Sequence, residues 1–120
     1  MAVNGANRRL GFWGERRAAR FLKKSGYKIL CRNFRCKQGE IDIIAKKGDV
    51  IAFTEVKTRT SDCFGEPNEA VDFSRRRRYI NAAGQYLYIN GIRPDEFVLR
   101  FDIVEIKKGE INHIENAFEW

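Results

Sequence analysis

Asp42, Glu55 and Lys57 are the residues whose types and spacing suit chemistry. Glu55 and Lys57 interrupt the apolar run IAFTEVKTR (residues 51–59), and Asp42 interrupts GEIDIIAK (residues 39–46) with twelve residues between it and Glu55. Residues two apart in a strand point to the same face, so Glu55 and Lys57 are neighbours there. If the two runs form an antiparallel hairpin, opposed residue numbers add to a constant. A constant of 95 makes Asp42 and Glu55 diagonal neighbours, roughly 7–8 Å apart at the backbone, and 97 puts them directly opposite. Only an even constant separates the three onto different faces. Two adjacent carboxylates resist joint ionisation. A hard divalent cation relieves that, because Mg²⁺ takes one or two carboxylates together with water and phosphate oxygens. Lys57 could pair with a carboxylate, orient a water, or neutralise charge developing on a phosphorane-like transition state. The combination suits phosphodiester hydrolysis, whereas the bland alternative is a salt bridge on a strand surface. No GxxxxGK[ST] loop is present for a nucleotide phosphate chain.

The elements that must position these residues follow from periodicity. Residues 5–24 read as a helix with Leu10, Trp13, Ala18, Phe21 and Leu22 forming the buried stripe, stopped at Ser25-Gly26. Core packing is therefore the expected role of Trp13. Glu15, about 100° from the stripe centre, lies at its edge, where it could add a carboxylate to the site or simply pair with Arg8 or Arg16. Strands are expected at 27–34, 39–46 and 50–58, with a turn at Lys47-Gly48-Asp49. TSDCFGEPNE (60–69) reads as a long loop and is expected to order over a bound polymer. A second helix is expected at 70–89, with Phe73, Ile80, Ala83 and Leu87 on its apolar side, ended by Gly91 and Pro94. A strand at 97–106 and a short one near 111–114 complete the order α-β-β-β-α-β-(β). That order predicts an α/β fold of one domain, residues 1–120, with a mixed central sheet flanked by helices.

Charge is concentrated. Of the 23 Lys and Arg and 16 Asp and Glu, residues 1–38 hold eleven basic residues and only one acid, Glu15. This segment is +10 within a chain of net charge +7, a surface that attracts polyanions. No stretch approaches the ~18 apolar residues of a membrane span, and the N-terminus lacks the apolar core of a signal peptide, so a cytoplasmic protein is expected. Cys31, Cys36 and Cys63 are odd in number and lack a CxxC pair, so reduced thiols are expected rather than a zinc site with His113. His113 is read as structural or exposed.

GERRAARFLKKSGYKILCRNFR, GEIDIIA, FTEVKTR, the EAV before a basic helix, and RFDIVEI together resemble the YraN-like family, small bacterial proteins similar to Holliday junction resolvases. The resemblance spans roughly residues 5–106 and implies a restriction-endonuclease-like core, α-β-β-β-α-β, with a PD-(D/E)xK active site. It implies that Asp42 and Glu55 bind Mg²⁺ or Mn²⁺, with the Val56 carbonyl as a further ligand and Glu15 as the first-helix acid. Lys57 is implied as the catalytic lysine, and the reaction as metal-assisted in-line attack of water on DNA. The family often places Pro and then Lys at the start of the second helix, where this chain has Phe73-Ser74-Arg75-Arg76-Arg77-Arg78. Arg does not replace a Lys that does chemistry, so Arg75, Arg76, Arg77 and Arg78 are expected as phosphate contacts, with Arg8, Arg9, Arg16 and Arg59.

The leading expectation is a metal-dependent DNA endonuclease, with branched DNA as a candidate substrate. Two-point cleavage suits a two-fold dimer, which leaves a homodimer open. The alternatives are a non-catalytic nucleic-acid-binding protein that keeps the nuclease fold, and a protein whose basic face meets an acidic partner. Trp13 and Phe64 are further candidates for stacking on bases.

Overall fold

The computed structural model describes the backbone of residues 5–59 and 73–119, and side chains within 13–59 and 74–119. The loop expected at 60–69, with Cys63 and Phe64, and the side chains of Arg8, Arg9, Leu10 and Phe73 lie outside the described residues.

Helix α1 (Gly5–Lys24) is followed by strands β1 (Lys28–Cys36), β2 (Gly39–Lys47) and β3 (Val50–Arg59). Helix α2 (Phe73–Ile89), a single 3-10 turn at Pro94–Glu96, and strands β4 (Val98–Lys107) and β5 (Glu110–Phe118) complete the chain. The strands form one sheet in sequence order, antiparallel except for the β3–β4 pair, which is parallel. The crossover through α2 makes that parallel pairing reachable. Alternating side chains serve opposite faces: Ile51, Phe53, Phe101 and Ile103 pack with Ala82, Ala83, Tyr86 and Leu87 of α2, whereas Ala52, Ile43, Val104 and Ile106 pack with Ala18, Ala19 and Leu22 of α1. The sheet is thus buried on both sides, and the expected α/β fold with a mixed sheet flanked by helices is the fold observed.

Helix α1 ends at a left-handed Gly26 (φ 98°), with the Tyr27 N–H closing on the Leu22 carbonyl at 2.9 Å. Its packing face differs from expectation. Trp13 is 59% exposed and carries the Arg16 guanidinium 5.6 Å over its ring, so it is not a core residue. Gly14, Ala18 and Leu22, spaced four apart, face the sheet instead. Small residues let the helix approach β3 so closely that a Cβ on Gly14 would lie 2.0 Å from the Thr58 Oγ1. A large ring has no room on that line.

The β2–β3 hairpin turns through Gly48 and Asp49. Gly48 takes φ 60° at the first central position, as a type II′ turn requires. Lys47 faces Val50 and Ile43 faces Thr54, the register in which opposed numbers add to 97. Strand β5 runs to Phe118, beyond the expected Ile114. A bulge in β5, where residues 115–117 lie opposite Asp102 alone and Asn116 takes φ 53°, carries the pairing through the polar stretch Glu115-Asn116.

Candidate active site

Strand β3 supplies the centre. Glu55 follows Ile51 and Phe53 on the α2 side of the sheet, and its side chain is only 10% exposed. Its Oε1 accepts a hydrogen bond from the Arg75 Nη2 at 2.6 Å and lies 3.7 Å from the Lys57 Nζ. Its Oε2 is buried with no hydrogen-bond partner among the described residues. A buried carboxylate oxygen left bare costs about 1–3 kcal/mol or more for a charged group, a cost that a bound cation would offset.

Asp42 reaches this site by a break in the sheet. Ile41 and Ile44 both pack on the α2 side although three residues apart, so strict alternation fails between them. The β2–β3 ladder stops at the Ile43–Thr54 pair, and the Asp42 Oδ2 accepts the Val56 N–H at 2.8 Å, where a ladder carbonyl would otherwise sit. The register sets Asp42 across from Glu55 on the neighbouring strand, just beyond the last ladder pair. The charges of Glu15 and Glu55 both reach it. Its carboxyl is pushed up to about 7, first by burial and then by the charges of Glu15, Glu55 and Glu40, against the lowering effect of the Val56 N–H.

Glu15 comes from α1, brought in by the close approach at Gly14. Its Oε1 is buried with no hydrogen-bond partner among the described residues, and burial raises its carboxyl above the ordinary value despite Arg32, Asn33 and Arg35 nearby. Among the described residues no three Asp, Glu, His or Cys side chains converge into a metal cage. Two carboxylates suffice for a hydrated Mg²⁺ or Mn²⁺, and the bare oxygens of Glu55 and Glu15 beside a carboxyl that resists ionisation suit such an ion. Val56 is held at the site through its N–H.

Helix α2 adds a residue that was not expected. Tyr79 lies four residues after Arg75, hence on the same helix face, and its hydroxyl accepts from the Arg75 Nη2 at 3.1 Å. Burial and the Glu55 carboxylate hold its phenol above the ordinary value, so it stays protonated. Glu40, Arg75, Arg78 and Tyr79 line a cleft of about 70 Å³ that opens beside Glu55.

The other arginines do not converge. Arg59 pairs with the Glu105 Oε2 at 3.1 Å, Arg76 lies 5.7 Å over the Phe118 ring, Arg77 is exposed, and Arg16 sits on α1 across the sheet from α2. His113 is structural. It meets the buried Asp102 Oδ2 at 2.7 Å, while the Arg100 guanidinium donates to both Asp102 oxygens at 2.8 Å and the Asn116 N–H to Oδ1 at 3.0 Å. Burial alone would raise the Asp102 carboxyl; the bonds from His113, Arg100 and Asn116 outweigh it and hold the group below its ordinary value. This network braces β4 and β5 beside β3. Cys31 and Cys36 are free thiols on β1, at the opposite edge of the sheet from His113.

The element order, the mixed sheet and the split of β2 from β3 define a domain with a restriction-endonuclease-like core. Residues 14–106 match the Uncharacterised protein family UPF0102, and the chain belongs to that family. It is 47% identical to a UPF0102 protein of Alkaliphilus oremlandii, over 93% of this chain and 99% of that protein. A UPF0102 protein of Clostridium perfringens is 46% identical, over 93% and 95%, and one of Caldicellulosiruptor saccharolyticus 46%, over 92% and 98%. No helix among the described residues is long and apolar enough to cross a membrane.

Proposed function

We propose that this chain is a divalent-metal-dependent endonuclease that hydrolyses DNA phosphodiesters. The observation that carries the reading is the Glu55 carboxylate, nine-tenths buried with one oxygen unpartnered among the described residues, beside a lysine on its own strand and a second carboxyl, Asp42, from the neighbouring strand. Asp42 and Glu55 would hold Mg²⁺ or Mn²⁺, with the Val56 carbonyl and Glu15 as supporting ligands. A bound ion of this kind supplies Lewis-acid polarisation of the phosphoryl oxygen and an acidified water. The protein supplies orientation. The Val56 N–H fixes the Asp42 carboxylate, and Glu55 anchors Lys57 so that its ammonium faces the reacting phosphate, where it stabilises negative charge as the water oxygen bonds to phosphorus and the bond to the leaving oxygen breaks. The basic residues of α1 and the Arg75–Arg78 turn attract the polyanion. Branched DNA is the substrate to which the resolvase resemblance points, with a homodimer as the matching assembly and the cytoplasm as the matching compartment.

A second reading, a DNA-binding protein that does not cut, draws on one observation: Arg75 and Lys57 already neutralise Glu55 from within the chain. A cleavage assay on duplex, flap and four-way DNA with Mg²⁺, Mn²⁺ or EDTA separates the two. Asp42→Asn, Glu55→Gln and Lys57→Ala are each expected to lower cleavage about 100-fold or more without unfolding the chain. Cleavage that survives in all three overturns the site, and binding without cleavage by the unaltered chain establishes the second reading.

A further inference from the structure

The guanidinium of Arg75 stands between two anion positions. On its inner side it donates to the Glu55 Oε1 at 2.6 Å, steadied by the Tyr79 hydroxyl at 3.1 Å and lying 5.9 Å over the Tyr79 ring. On its outer side it lines the cleft shared with Glu40, Arg78 and Tyr79, and its side chain is 41% exposed. Lys57 shares the same Glu55 oxygen at the longer distance of 3.7 Å. Arg75 is therefore, among the described residues, the closest counter-ion of Glu55, and it reaches Glu55 from a helix that flanks the sheet. A five-donor planar cation suits this double use, since it can bond a carboxylate or a phosphate with the same fork. Tyr79 is suited to steer it: one helical turn along α2, it holds the guanidinium through its hydroxyl and beneath its ring.

We propose that Arg75 is an exchangeable counter-ion, positioned by Tyr79. It neutralises Glu55 in the metal-free chain and transfers to a DNA phosphate in the Glu40–Arg78 cleft once a divalent cation is held by Asp42 and Glu55. The inference rests on the nuclease reading and adds a coupling to it. Metal strengthens DNA binding through Arg75, and by linkage DNA strengthens metal binding by the same factor. Arg75 is thus a positioning and substrate-binding residue, distinct from the lysine chemistry of Lys57.

The test uses the full chain and two binding measurements that need no turnover. Mn²⁺ affinity is read from the electron paramagnetic resonance of the free ion, for the unaltered chain, Asp42→Asn, Arg75→Gln and Arg76→Gln. Arg75→Gln is expected to bind Mn²⁺ about tenfold more tightly without DNA, in line with release of a charge-assisted hydrogen bond. Arg76→Gln removes the same charge one residue along and is expected to shift the affinity less than about twofold, since it makes no bond to Glu55. Anisotropy of a labelled duplex, measured in Ca²⁺ and in EDTA, reads the coupling. The metal-dependent gain in DNA affinity is expected to be about tenfold in the unaltered chain and to vanish in Arg75→Gln. Equal Mn²⁺ affinities for the unaltered chain and Arg75→Gln, equal shifts in Arg75→Gln and Arg76→Gln, or a retained metal-dependent gain in Arg75→Gln each overturn this inference and leave the nuclease reading standing. Mn²⁺ binding that ignores Asp42→Asn overturns both.

Discussion

Gly14→Ala should destabilise the protein although it improves the helix. Ala is favoured over Gly inside a helix by about 0.8–1.0 kcal/mol. In the folded chain, however, the new methyl would sit 2.0 Å from the Thr58 Oγ1, and the Thr58 Cβ and Cγ2 follow at 3.3 and 3.6 Å. Ordinary contact begins near 3.4 Å, so helix and strand must part by roughly 1.4 Å or Thr58 must turn. Turning gives only partial relief: χ1 of a β-branched Thr is restricted, one rotation puts the methyl where the oxygen was, and the Thr58 Cβ stays at 3.3 Å in any rotamer. Overpacking of this kind costs about 1–3 kcal/mol, which offsets the propensity gain and leaves a net loss of up to about 2 kcal/mol. Thr58→Ala removes the nearest atom but not the 3.3 Å Cβ contact, so Gly14→Ala should cost at least about 1 kcal/mol less in that background. Urea unfolding followed by circular dichroism on the four chains of the cycle gives the coupling from midpoint and slope. A more stable Gly14→Ala chain with no coupling to Thr58 would refute the close approach of α1 to β3, and with it the placement of Glu15 beside Asp42.

Asp42→Asn should stabilise the metal-free protein at pH 8 and change little near pH 4. The carboxyl is raised from 3.8 to about 7 in the fold, so the folded state holds the proton more tightly and stability falls as pH rises between those values. Three units correspond to about 4 kcal/mol at most; loss of the charge-assisted Val56 bond reduces the expected gain to about 1–3 kcal/mol. Unfolding in EDTA at the two pH values checks this, and a gain independent of pH contradicts it. Asp102→Asn is expected to cost about 3–5 kcal/mol, because it leaves a buried guanidinium without its closest carboxylate; a loss below about 1 kcal/mol would show that the network does not brace β4 and β5. In the unaltered chain the Asp102 contribution is present above the ordinary carboxylate range and fades as pH falls through its depressed value, which thermal unfolding between pH 5 and pH 2 can follow.

Much of the frame is readable from local pattern. The bounds of α1 and of the hairpin strands come within a few residues of those expected, since amphipathic period and Gly turns are local properties. The charged triplet Asp42, Glu55 and Lys57 stands out because charge inside an apolar strand is costly. The extent of β5 is not readable, because a polar Glu115-Asn116 pair looks like a strand end until a bulge within β5 brings the Asn116 N–H to the buried Asp102 carboxylate.

The sequence by itself determines the element order, the +10 segment and the acids and lysine of β2 and β3, since these depend on residue type and short-range spacing. Only the tertiary structure decides that Trp13 stays outside and Gly14 goes in, because that depends on how close α1 can come to Thr58. It likewise decides that β2 parts from β3 at Asp42, and that Arg75 and Tyr79 meet a carboxylate twenty or more residues away in the chain. Distance through space, and the cost of a buried charge at the place where those distances close, are properties of the folded chain.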